Sequence, residues 1–154
     1  MKNWILIADA ARAAIFVPHV IGKELQTVCE FSHPQSRAKN ADILADRASQ
    51  TQHARSAQFA PTMTAPTEPK MLEAEQFAKA LADELKHASD RHEFDRLALV
   101  APPHFLGLLR ESLDEQVALK VVVSLPADLT RIERHQLWTH LTSVIHSLSQ
   151  GANV

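Results

Sequence analysis

Phe94 to Leu113, FDRLALVAPPHFLGLLRESL, is the stretch that decides the fold. Leu97, Leu99 and Val100 form an apolar run of strand length. Pro102 and Pro103 end that run and open a helix, since proline cannot continue a ladder but suits a first helical turn. Phe105, Leu106, Leu109 and Leu113 then recur at helical spacing. A buried strand therefore leads straight into a helix, the junction at which α/β proteins place their sites.

The same alternation extends in both directions from this unit. Upstream, Met71 to Ala88 places Ala74, Phe77, Ala78, Leu81, Leu85 and Ala88 on one helical stripe, with Lys79, Asp83 and Lys86 outside it. Thr67 is the expected N-cap. Downstream, Val117 to Leu125 reads as one buried strand ended by Pro126. The last helix is expected to open with a capping box at Thr130 and Glu133 and to bury Leu137, Leu141, Val144, Ile145 and Leu148. At the other end of the chain, Trp4 to Ala8, Ala13 to Pro18 and Leu25 to Phe31 read as strands. Their connections are too short for parallel crossovers, so antiparallel hairpins are expected, the second with a two-residue turn at Gly22 and Lys23. Three antiparallel strands followed by two right-handed β-α-β crossovers give an α/β fold. The expected sheet is mixed and five-stranded, ribonuclease-H-like, of order 3-2-1-4-5, with strands one, four and five parallel and helices on both faces.

At 154 residues, with 45% hydrophobic and 22% charged residues, the chain fits a single domain spanning 1–154. The formal net charge of −2 supplies no overall positive field to hold nucleic acid or an anionic membrane, so any such binding needs a local patch. Cys29 is the sole cysteine. An internal disulfide is thus excluded, and a reducing cytoplasmic location is expected. Asp9 and Arg12 interrupt the apolar N-terminus, which argues against a signal peptide, and no run approaches a membrane span, so membrane insertion is not expected. Between 32 and 69 regular patterning lapses into a long polar loop with Pro34, Pro61, Pro66 and Pro69, in which a short helical turn around Asp42 to Arg47 is the one element expected.

The segments WILIADAARAAIF (4–16) and FAKALADEL (77–85) resemble the bacterial host attachment protein family, named for proteins required for attachment to host cells. That family is similar in turn to the middle domain of archaeal and eukaryotic peptide-chain release factors and of Pelota. The resemblance implies the ribonuclease-H-like order already read from the residues. It also implies a Gly-Gly-Gln loop between the third strand and the first helix. The corresponding loop here contains no glycine, since Gly22, Gly107 and Gly151 are the only glycines in the chain. Without that permissive backbone, Gln50, Gln52 and Gln58 are not expected to approach an ester carbonyl, and peptidyl-tRNA hydrolysis is not expected.

Binding is the function left standing. Arg37, Lys39, Arg47 and Arg55 in the loop outnumber Asp42 and Asp46 and could clamp phosphates, with His33 and His53 as further hydrogen-bonding groups. His104 and Arg110, around the start of the helix after Pro103, form a second candidate, for an anion. No catalytic residue, cofactor or metal is expected. Asp9, Glu73 or Glu75, and Asp95 do not converge as a two-metal nuclease requires, because Asp95 begins the fourth strand instead of ending it. Asp9 reads better as a turn residue bonded to nearby amides. His135, His140 and His146 lie on different faces of the last helix, unlike the paired histidines of a zinc helix. Cys29 has no partner base and reads as a structural thiol. Gly107 suggests close backbone packing. The leading expectation is a non-catalytic cytoplasmic binding protein that associates with RNA or the ribosome. The alternatives are a protein–protein interaction factor acting indirectly on attachment and, third, a nuclease or hydrolase; the oligomeric state is left open.

Overall fold

A computed structural model describes residues 1–33 and 68–150. Among these, the elements run β1 (Asn3–Ala8), β2 (Arg12–His19), β3 (Glu24–Ser32), α1 (Glu68–Asp90), β4 (Arg96–Ala101), α2 (Pro103–Ser112), α3 (Glu115–Lys120), β5 (Val121–Pro126), α4 (Arg134–His140) and α5 (Thr142–Gln150). The sheet has the order β3-β2-β1-β4-β5, as expected. β1 pairs antiparallel with β2 and parallel with β4, and β4 pairs parallel with β5.

The two central strands explain the order. β1 and β4 are apolar without alternation because both faces of each are covered. Trp4, Leu6, Ala8, Leu97, Leu99 and Ala101 point to one side, against Phe77, Leu81 and Leu85 of α1 and Phe105 and Leu109 of α2. Ile5, Ile7, Ala98 and Val100 point to the other, against Leu137 of α4 and Leu141, Val144 and Leu148 around α5. A strand with only one apolar face could not hold either position. Trp4 stacks on Phe94 at 4.8 Å between centroids, closing the first core at its lower end. There the backbone amide of Lys2 donates to the Asp95 carboxylate at 2.7 Å, which is the first cause of that carboxyl lying below its usual range.

Both edge strands are bulged. Register slips leave Val28 extra on β3 and Val122 extra on β5, and both are half-exposed. Such bulges twist an edge away from further pairing. Pro126 ends β5, and the next amide, of Ala127, turns back to donate to the Ala101 carbonyl at 2.9 Å.

Several local expectations are corrected. The hairpin between β2 and β3 has a four-residue loop, because His19 pairs with Glu24, and both Gly22 and Lys23 take positive φ (92° and 52°). Val117 to Lys120 is not strand. Asp114 caps a helix there by accepting from the Gln116 amide at 3.0 Å, and good helix formers follow. In a strand Val117 and Leu119 would share a face; here Val117 is wholly buried and Leu119 is 80% exposed. The Thr130–Glu133 capping box does not form either. Glu133 is itself the N-cap residue of α4, without a side-chain bond, and Thr130 bonds elsewhere. The final helix is two helices, broken at Leu141, whose amide closes a tighter turn onto the Trp138 carbonyl. Thr139, Thr142 and Ser143 flank the break, residues whose hydroxyls compete for backbone groups. Gly107 lies exposed on α2, and a β-carbon placed there would meet nothing within 4 Å, so close packing does not explain it.

Candidate functional site

The last pair of β1 and β2, Ala8 with Ala13, encloses a turn from Asp9 to Arg12, and its geometry rests on one side chain. Asp9 Oδ1 accepts from the amides of Ala11 (2.8 Å) and Arg12 (2.9 Å), while its own amide donates to the Arg12 carbonyl at 2.8 Å. This is the turn role expected of an aspartate placed there. The other carboxylate oxygen reaches across 121 residues of sequence to accept from the Thr130 hydroxyl at 2.8 Å. Thr130 shares that single proton with Asp128 Oδ1, at 2.9 Å, while its amide also points to Asp128. Asp9 thereby ties the tip of the hairpin to the loop that follows β5.

A groove of about 980 Å³ opens beside this tie, on the α4 side of the sheet. Its floor is apolar: Ile7, Ala14 and Phe16 from the strands, and Leu129, Ile132 and Leu137 from the loop and α4. Its rim is polar. Arg12 and Ser32 are paired neighbours at one end of β2 and β3, and Glu30, Thr27, Thr130 and Arg134 complete it. Arg134 lies at the start of α4 and donates to Thr27 Oγ1 at 2.9 Å, which draws its guanidinium over the outer strand. Arg12 is exposed, and among the described residues no hydrogen bond or ion pair of its guanidinium is found.

Among the described residues, Asp9 and Asp95 do not converge into a catalytic set. Asp9 is engaged by two amides and a hydroxyl, Asp95 lies at the opposite end of the strands on the Lys2 amide, and no group of three metal-ligating side chains occurs among the described residues. Cys29 is half-buried against the α1 core; burial, with Glu84 and Glu93 adding to it, pushes its thiol up, away from the reactive thiolate. His135, His140 and His146 are all exposed, His135 near Glu133 and His146 bonded to Gln150. None of the three lines the groove.

Of the residues singled out from sequence, Arg37, Lys39, Arg47 and Arg55 lie outside the described residues, as do Thr67, His53 and the turn expected at 42–47. His104 is exposed in the first turn of α2. Arg110 is exposed too and donates to Ser124 Oγ on β5 at 3.2 Å, not to Glu111 or Asp114. Six positions apart on one helix, the two face directions about 120° apart. His33 belongs to the core and not to a free loop: it is buried, stacks on Phe77 at 5.4 Å, and donates its amide to the Ala11 carbonyl at 3.0 Å.

Sequence reasoning missed the groove. In the sequence Arg12 is no more than a break in an apolar run, and Arg134 stands in no motif. The one local signal is Asp9 itself, a turn-former between strands, which marks a shaped turn but does not show what packs over it.

The family model described as "protein required for attachment to host cells" matches residues 4–141. This chain belongs to that family. No curated protein matches it. Among solved structures it is similar to an archaeal translation termination factor, aRF1, at a TM-score of 0.48 and 10% identity, covering 99% of this chain and 41% of that one. It is also similar to the Ppx/GppA phosphatase of Aquifex aeolicus, type II variant, at a TM-score of 0.34 and 13% identity, covering 81% of this chain and 35% of that one. The chain thus spans less than half of either structure, and neither likeness bears on what it binds. No helix among the described residues is long and apolar enough to cross a membrane.

Proposed function

We propose that this member of the attachment family is a non-catalytic binding protein, that it works in the cytoplasm, and that its partner is RNA or the translation machinery. One observation carries the reading. β3 delivers the chain, at Ser32 and His33, to the end of the groove where Arg12 lies exposed, and the segment that departs there bears Arg37, Lys39, Arg47 and Arg55. Arg12 and Arg134 line that groove on a protein whose net charge is −2, and four further basic residues follow β3 in the sequence, which supports the local patch that phosphate binding requires. The engaged state of Asp9 supports binding over hydrolysis.

The test is sedimentation of cell lysate through sucrose gradients at low and high salt. The wild-type protein is expected to travel with ribosomal subunits at low salt and to leave them as salt rises. Changing Arg37, Lys39, Arg47 and Arg55 together to Ala is expected to abolish co-migration and flatten the salt dependence. Peptidyl-tRNA should remain intact with either form. A wild-type protein that ignores RNA and ribosomes at low salt ends this reading. A protein partner would then take its place, which the apolar floor of the groove favours.

A further inference from the structure

We infer that the groove between β2, β3 and α4 is a phosphate-binding site, with Arg12 and Arg134 as its cations, and that it holds its ligand by phosphate and sugar without reading bases. The inference deepens the RNA reading above and depends on it only for the source of the phosphate.

Four observations lead here. First, Arg12 is presented by a turn whose backbone is fixed on both sides by Asp9, yet its guanidinium has no structural bond among the described residues. A cation held by its backbone and unused by its side chain is available to a ligand. Secondly, Arg134 donates from one nitrogen to Thr27 and keeps the rest of its fork, so its orientation is set without exhausting its donors. Two guanidiniums on one rim match phosphate oxygens, which each can take in a bidentate manner.

Thirdly, two of the carboxylates near these arginines are engaged elsewhere. Asp9 faces the Ala11 and Arg12 amides and the Thr130 hydroxyl, and Asp128 faces Thr130. Among the described residues, Glu30 is the only carboxylate lining the groove. Fourthly, the lining decides what is read. Base edges are recognised by bidentate Arg, Asn and Gln and by carboxylates, and single strands by aromatic stacking; with both arginines on phosphate, Glu30 alone of these is left in the groove among the described residues. No Asn or Gln among the described residues lines this groove, Phe16 is buried in its floor, and Phe31 packs against the core on the opposite face of the sheet. Ala14 and Ile132, both half-buried, offer an apolar bed that any nucleoside can lie on.

The test uses the full chain. Fluorescence anisotropy follows binding of a labelled short oligouridylate and, separately, oligoadenylate; calorimetry follows inorganic pyrophosphate and adenosine monophosphate. Arg12→Gln and Arg134→Gln are each expected to weaken oligonucleotide binding by about tenfold, and the pair to lower the salt slope by about 1.4, at about 0.7 for each single-strand phosphate that is no longer neutralised. Arg131→Gln, exposed but outside the groove, should change nothing. The two homopolymers should bind within a few-fold of one another. Thermal melting of each variant checks that the fold is intact.

If pyrophosphate or the mononucleotide binds with the same dependence on Arg12 and Arg134 while the oligonucleotides do not, the site stands and a free phosphate compound is its source, so the RNA reading alone fails. If RNA binds and the groove variants bind it as the wild type does, the site is overturned and the RNA reading survives. Binding of neither probe class overturns the site, and a strong preference for one homopolymer overturns the claim that bases go unread.

Discussion

Replacing Asp9 by Ala should loosen the groove and the fold together, by an amount the geometry allows to be worked out. Three hydrogen bonds end on this carboxylate, from the Ala11 and Arg12 amides and the Thr130 hydroxyl. Bonds to a charged acceptor contribute about 1.5 to 3 kcal/mol each, but Asp9 is only half-buried, and water can reach the two freed amides. About 1 kcal/mol apiece is therefore the reasonable scale, or about 3 kcal/mol in all. With a urea m-value of about 2 kcal/mol/M, the unfolding midpoint should fall by about 1.5 M. Asp9→Asn keeps an oxygen for both amides and turns an NH₂ toward Thr130, whose oxygen can accept, so it should lose about 1 kcal/mol or less. A double-mutant cycle with Thr130→Val isolates the long-range tie, since Thr130 also bonds Asp128. The coupling expected between positions 9 and 130 is about 1 kcal/mol. Additive losses from the two substitutions would show that the hairpin and the loop after β5 are not joined through Asp9. An Asp9→Ala midpoint equal to the wild type would refute the turn account as well.

Other consequences can be measured alongside. Leu99→Ala, in a central strand and wholly buried, should cost about 2 to 5 kcal/mol, whereas Ile21→Ala at the 95% exposed hairpin tip should cost almost nothing; equal urea midpoints would contradict the burial assigned to β4. Gly107→Ala should raise stability by about 0.5 to 1 kcal/mol, because the site is helical and open; a lower melting temperature would show a close approach that the structure lacks. The fourfold change of Arg37, Lys39, Arg47 and Arg55 to Ala should leave stability within about 0.5 kcal/mol if they serve a partner, so a large drop in the denaturation midpoint would mean those residues hold the fold instead.

Strand order was legible from sequence because it depends on burial, and burial writes itself into residue type. β1 and β4 are apolar at successive positions, which only strands covered on both faces can be, and the lengths of the connections then leave little choice of direction. The same reasoning failed between Val117 and Pro126. A short apolar run cannot say whether it alternates or turns, and Asp114, the cap that decides it, reads equally well in sequence as an ion partner for Arg110. Thr130 misled in the opposite sense. Its spacing to Glu133 satisfies a local rule, but the long-range acceptor Asp9 took its hydroxyl, and the helix began one turn later.

The groove was hidden for the same reason that Thr130 was misread. Its floor and rim come from β1, β2, β3, the loop after β5 and α4, and its cations are separated by most of the chain. A motif is visible in sequence when neighbouring residues share a task, as Pro102 and Pro103 do. A site assembled by sheet order has no such signature. Once β1 is central and flanked by β2 and β4, however, the turn after β1 and the loop after β5 emerge at the same end of the sheet, because both leave the carboxyl end of parallel strands. Asp9 and Thr130 meet there. The arginines a few residues beyond each, Arg12 and Arg134, are brought to the same rim by a topology that the apolar residues alone determine, so they can vary with the ligand while the fold does not.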